Sequence, residues 1–115
     1  MSRGMNVWHG CGTVCSDVVY NDTRNGDKAC GFRIAIHNHH KASLYIRVNA
    51  YGSHAEVCRK CELEKGDFVV IDGELMTRQG RDELLTEVRC RDFVIRKKHW
   101  NSITDNGMEG GESDV

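Results

Sequence analysis

The chain has 115 residues, enough for one domain with a modest core. Its 39% hydrophobic and 29% charged residues are typical of a globular protein, and no apolar run approaches the roughly 20 residues that a membrane-spanning helix needs. The net charge of −1 hides an asymmetry, because residues 101–115 hold four acids and no Lys or Arg, which leaves 13 acids against 16 bases in residues 1–100. A basic body followed by an acidic, Gly-rich tail favours a partner that is a polyanion.

The N-terminal segment MSRGMNVWHGCG lacks the apolar stretch of a secretory signal. We therefore expect a cytoplasmic protein, and in such a compartment the six cysteines are expected to be reduced thiols rather than disulfides.

The first half of the chain predicts three strands. Residues 5–15 form the first, and Asn25-Gly26 in the turn-rich segment that follows is a strong hairpin signal. Residues 29–37 and 44–51 alternate apolar and polar side chains, which predicts two half-buried strands. The outward side chains of the last strand are Tyr45, Arg47, Asn49 and Tyr51. A strand face made of rings and cations is suited to nucleic acid, since bases stack on rings and cations meet phosphates.

The second half predicts one helix and two strands. Ser53 and Glu56 have the spacing of a capping box, and Gly66 stands where a helix could end. The fourth strand is DFVVIDGEL, and the fifth begins near Glu83. The apolar phase of the fifth strand shifts between Cys90 and Phe93, which indicates a bulge. Three strands, a helix and two strands are the order of an all-β OB-fold, a five-stranded Greek-key barrel with a short helix between strands three and four.

Five segments, in order and with compatible spacing over residues 5–97, resemble the bacterial and phage type of single-stranded DNA-binding protein. They are Met5-Asn6 with Gly12, CGFRIAI (30–36), YIRVNAYGSHAEVC (45–58), EKGDFVVIDGEL (64–75) and LLTEV (84–88).

The resemblance implies a domain at residues 1–98 that binds single-stranded DNA without sequence preference, with a disordered acidic tail at 99–115. Such a protein protects single strands during DNA replication, recombination or repair, forms homotetramers or dimers, and requires no cofactor, metal or catalytic residue. In bacteria it acts at the nucleoid, and a phage-encoded one acts in the host cytoplasm. Replication or repair proteins are the expected partners of the tail.

The resemblance also implies which residues contact DNA. Tyr45 and Tyr51 take the positions where the family stacks bases, and Arg47 lies beside them. Alternation adds Arg33 and His37 to this face. The phosphate track is expected to continue through cations near the loops, namely Arg24, Lys28, Lys41, Arg78 and Arg81.

Three features depart from the family pattern. His39, His40 and Lys41 replace the tryptophans that the family often carries between strands two and three, and RQGRDE stands in the last hairpin. Asp17-Val18-Val19 replaces a DPE motif after strand one, and the tail ends in Ser-Asp-Val without the Pro-Phe that partner enzymes recognise. The missing tryptophans indicate a shorter or weaker DNA site, and the missing Pro-Phe argues against partner recruitment through the tail.

Other interpretations of the same residues remain open at this stage. The tyrosines and Arg47 could be ordinary cross-strand surface pairs, and Trp8 could pack in the core, lie in a subunit interface or stack a base. The alternative functions are a primosome accessory OB protein, an RNA-binding OB domain, or a zinc-stabilised protein-interaction module. The last would use His54, Cys58 and Cys61, which have helical spacing.

Overall fold

A computed structural model describes residues 4–22, 25–37 and 43–98. Arg24, Lys41 and the tail at 99–115 lie outside these residues. The described elements, in chain order, are β1 (Trp8–Val14), β2 (Val19–Asp22), β3 (Lys28–His37), β4 (Ser43–Tyr51), α1 (Ser53–Lys60), β5 (Phe68–Gln79) and β6 (Leu84–Arg96).

Five of these strands close into a barrel. The hydrogen-bonded order is β1-β5-β6-β4-β3, and β3 returns to β1 through the pairs Thr13–Ala35 and Val14–Ile34. All neighbours are antiparallel except β4 and β6, which run parallel at Val48–Val88. Closure with one parallel pair and a helix after the third barrel strand confirms the predicted five-stranded OB-fold.

The additional strand β2 is the outer arm of a hairpin with β3. It pairs with β3 from Val19–Gly31 to Asp22–Lys28, and Gly26 in the connecting turn has a φ of 84°. Only a residue without a Cβ adopts this conformation at little cost, which confirms the hairpin signal at Asn25-Gly26.

The helix differs from its prediction at both ends. Gly52, with a φ of 61°, is the N-cap and no side chain caps the helix, so the capping box expected at Ser53 and Glu56 is wrong. The helix ends at Lys60 rather than near Gly66 because Glu62 turns to a φ of 54°, which brings the Leu63 N–H to the Cys58 carbonyl.

The predicted bulge in the last strand is confirmed. Asp92 pairs with Asp72 and Cys90 pairs with Gly73, so Arg91 is an extra residue between two regular stretches.

The barrel interior is filled by the inward phase of each strand together with one stripe of α1. Phe32, Ile34, Val48, Ile71 and Val88 are fully buried there. Trp8 is half-buried and packs against this core, with its indole ring lying over Gly10.

Within the described residues, no helix is both long and apolar enough to cross a membrane.

Candidate nucleic-acid interface

The outward faces of β3 and β4 form one continuous surface, because the two strands pair over nine consecutive positions. Arg33 lies directly opposite Arg47, and Tyr45 lies opposite Ala35. Tyr51 lies opposite Ala29 at the other end of the hairpin. The core-phase residues Cys30, Phe32 and Ile34 on β3 and Val48 and Ala50 on β4 are buried, so this register holds the predicted face outward there. At the start of β4, Leu44 has the core phase but is 53% exposed.

The two tyrosines are available at the surface of this face. Tyr45 is 58% exposed and Tyr51 is 36% exposed. Six residues separate them along β4, which corresponds to roughly 20 Å of strand. The Arg89 guanidinium lies over the Tyr51 ring, with its carbon 5.2 Å from the ring centroid. This contact places a positive charge beside an exposed aromatic ring.

The cations of the face have different environments. Arg33 is exposed, whereas Arg47 is half-buried and donates from Nε to the Asn49 side-chain oxygen at 3.2 Å. Arg78 on β5 binds the buried carboxylate of Glu87 through Nη2 at 2.7 Å and Nε at 2.9 Å. These contacts extend the surface from the β3–β4 hairpin to the β5–β6 hairpin.

The remaining predicted residues lie at the edges of the surface. His37 ends β3, where its Nδ1 is 2.9 Å from the Ser43 hydroxyl. Arg81 is exposed in the loop between β5 and β6. Lys28 has the same strand phase as Cys30, so alternation directs it away from the face that carries Arg33. Arg24 and Lys41 fall outside the described residues.

Three contributors to this surface were missed in the sequence: Arg89, Glu87 and Gly31. Glu87 and Arg89 flank the buried Val88 on the last strand, so alternation around Val88 would have placed both on the outward face. Their proximity to β4 depends on the parallel β4–β6 pairing, for which the sequence has no local signal.

Of the six free thiols, Cys30, Cys58 and Cys90 are buried, whereas Cys11, Cys15 and Cys61 are exposed. Burial raises the pKa of Cys90 to about 12, and a hydrogen bond with Cys30 together with burial raises the pKa of Cys58. His54 meets Phe93 edge-on with ring centroids 5.7 Å apart, while Cys61 is exposed. Across residues 4–22, 25–37 and 43–98, no three His, Cys, Asp or Glu side chains are arranged to hold a metal ion.

Comparison with solved structures supports the fold. The single-strand binding protein domain of a Synechococcus protein superimposes with a TM-score of 0.66 at 17% identity, covering 81% of this chain and 98% of that chain. At this identity the likeness shows the fold alone. No curated protein matches the chain significantly.

The profile of the "Single-strand binding protein family" matches residues 5–98, which is most of the chain. The match spans all six strands, the helix and the surface described above. The chain belongs to the single-strand binding protein family.

Proposed function

We propose that the protein binds single-stranded DNA without sequence preference, on the outward face of β3 and β4. The observation that carries this proposal is the register that places Arg33 opposite Arg47, with Tyr45 and Tyr51 on the same exposed face. Stacking on the rings tolerates any base, and the guanidinium groups contact phosphates, so no base edge needs to be read. No covalent bond is made or broken.

In this role the protein protects single strands during replication, recombination or repair. It acts at the bacterial nucleoid, or in the host cytoplasm if a phage encodes the chain. The tail at 99–115 is proposed to act outside the domain at 1–98, as a competitor for the basic face or as a tether for replication and repair proteins.

Titration with oligo-dT, oligo-U and a DNA duplex of matched length tests the class of ligand. We expect binding to oligo-dT that is tighter than binding to the duplex, with affinity rising with oligonucleotide length until one site is filled. A preference for oligo-U would support the RNA-binding alternative, and equal binding to the duplex would contradict a stacking surface.

We also propose that the chain forms a homo-oligomer through β1. Residues 8–12 of β1 pair with β5 on one side, whereas the described pairing with β3 involves only Thr13 and Val14. Among the described residues this edge of β1 has no partner over residues 8–12, and an unpaired edge can pair with another strand, here a second β1. On the opposite side of β1, the outer face of β5 and β6 exposes Val70, which pairs with Cys11, and Val94, which is 66% exposed.

Sedimentation velocity tests the oligomer. We expect a dimer or tetramer for the natural chain, and dissociation to smaller species for Val94→Glu. Val57→Glu is the matched control, because Val57 is exposed on α1, away from β1. A natural chain that sediments as a monomer at micromolar concentration would contradict this proposal.

A further inference from the structure

Glu87 is a charged side chain buried on the outward side of the barrel. Its neighbour Val88 points into the core, so Glu87 belongs to the face proposed to bind DNA, yet only 3% of its side chain is exposed. A buried carboxylate is costly unless its partners are well placed. A negative charge is also unexpected in a surface for a polyanion.

Both oxygens of the carboxylate accept hydrogen bonds, from two partners. One oxygen, Oε2, accepts from Nε and Nη2 of Arg78 at 2.9 and 2.7 Å. The other, Oε1, accepts from the Asn49 amide at 2.7 Å. Burial acts to raise the pKa of Glu87, but these hydrogen bonds and the nearby guanidinium charges outweigh it and hold the pKa below its ordinary value. Glu87 is therefore ionised at neutral pH.

Asn49 carries the connection one strand further. Its side-chain oxygen accepts from Nε of Arg47, so the chain of contacts Arg78–Glu87–Asn49–Arg47 crosses β5, β6 and β4. The oxygen and the nitrogen of the Asn49 side-chain amide are both hydrogen-bonded in this arrangement, which fixes the orientation of the amide.

Gly31 on β3 completes the arrangement. A Cβ added there would lie 2.2 Å from Nη2 of Arg47 and 3.1 Å from Oδ1 of Asn49. The Arg47 guanidinium therefore lies against the β3 backbone at Gly31, in space that a Cβ would occupy. An arginine held in one place has already lost the side-chain freedom that a mobile arginine loses on binding.

We propose that Glu87 is a positioning residue of the single-stranded DNA surface: its buried carboxylate holds Arg78 directly and Arg47 through Asn49, so that both guanidinium groups are preorganised for phosphate. This inference rests on the proposed function. A guanidinium has five N–H donors. Arg47 uses one and Arg78 uses two in these contacts, which leaves four and three donors for phosphate oxygens.

Glu87→Gln tests the proposal through the direction of its effect on DNA affinity. The substitution keeps the shape of the side chain and removes one negative charge from the surface. If the only effect of the carboxylate were to repel the phosphates of DNA, the variant would bind oligo-dT more tightly. We expect binding about three- to tenfold weaker, the scale of reordering a freed side chain. Equal or tighter binding by a folded Glu87→Gln protein would overturn the proposal.

Gly31→Ala tests the same arrangement without altering charge. The added methyl group meets the end of the flexible Arg47 side chain, so Arg47 is displaced while the core is untouched. We expect oligo-dT binding to weaken, and no further loss when Gly31→Ala is added to Arg47→Ala. Gly4→Ala is the matched control, because a methyl group there meets nothing within 4 Å. Unchanged binding by Gly31→Ala, where Arg47→Ala alone weakens it, would overturn the proposal.

A measurement on the free protein separates this inference from the proposed function. The Nε–H groups of Arg47 and Arg78 should give NMR resonances that are protected from exchange with water. Glu87→Gln should abolish this protection, with or without DNA. If the natural chain failed to bind oligo-dT, the proposed function would fall, and the positioning role would fall with it even if these resonances were protected. If the natural chain bound DNA without them, only the positioning role would fall.

Discussion

Arg33 and Arg47 lie directly opposite one another on neighbouring strands, and like charges in such pairs destabilise a sheet. Arg47 donates a hydrogen bond to the Asn49 side chain and lies over Gly31, whereas Arg33 is exposed. The surface proposed to bind DNA thus keeps a pair of side chains that the fold alone would not favour.

Replacing Arg33 with Gln should separate stability from binding. We expect a folding stability that is unchanged or higher by up to about 0.5 kcal/mol, because a like-charge pair is removed. Binding to oligo-dT should weaken for all sequences alike, and the log–log salt slope should fall by about 0.7, the value for one phosphate contact to a single strand. Lys60→Gln, an exposed cation on α1, is the control and should leave the slope unchanged.

At the scale of elements, the period-two alternation of β3 and β4 was sufficient to predict which side chains share the outward face of these two strands. Phe32 and Val48 mark the core phase without ambiguity. Strand β2 was not predicted, since its four residues are mostly exposed and form a strand only by pairing with β3. The helix end was misplaced because a non-glycine residue, Glu62, takes the left-handed conformation.

The contacts around Glu87 show what a single sequence does not reveal. Asn49 and Glu87 are 38 positions apart and meet only through the parallel pairing of β4 and β6. Alternation places each of them on an outward face, but it does not say which strands are neighbours. The candidate residues were thus accessible from the sequence, and their interactions were not.

One end of the barrel is held by Asp67, a fully buried residue between α1 and β5. Its carboxylate accepts from Nζ of Lys97 at 2.6 Å and from the backbone N–H groups of Glu64 and Lys98 at 3.0 Å each. Burial acts to raise the pKa of Asp67, but these donors outweigh it and lower the pKa. The loop after the helix and the end of β6 are therefore joined through one ionised group.

Asp67→Asn should destabilise the fold by about 1.5–3 kcal/mol at neutral pH, the range for hydrogen bonds to a charged group. Because the pKa of Asp67 is lower in the folded state, its stabilisation is complete above the unfolded pKa of about 3.9 and is lost as the pH falls through the folded value. Urea midpoints measured from pH 7 to pH 2 should therefore differ by a constant amount above about pH 4 and begin to converge below it. Parallel curves over this range would show that Asp67 is not the group responsible.

For the whole molecule, charge is divided between a basic body and an acidic tail. Residues 101–115 hold four acids and no Lys or Arg. Residues 1–100 hold 13 acids and 16 bases, so their net charge is about +3. Opposite charges on one chain attract each other over about 10 Å at 0.1 M salt and less at higher salt.

A chain ending at Lys98 should bind oligo-dT more tightly than the full chain at low salt, with the difference vanishing at high salt. The matched control keeps the full length and neutralises the four acids, as Asp105→Asn, Glu109→Gln, Glu112→Gln and Asp114→Asn. If competition is electrostatic, both proteins should gain affinity equally. A gain in the shortened chain alone would assign the effect to the length of the tail, and no gain in either would leave the tail as a tether.

The central claim, that DNA stacks on the outward face of β4, is tested most directly by fluorescence titration of Tyr45→Ala and Tyr51→Ala with oligo-dT. Each substitution should cost about 1–3 kcal/mol of binding free energy, with folding intact, because neither ring belongs to the core. Tyr45→Phe and Tyr51→Phe keep the rings and should bind like the natural chain. If both alanine variants remained folded and bound oligo-dT as tightly as the natural chain, the claim would be contradicted.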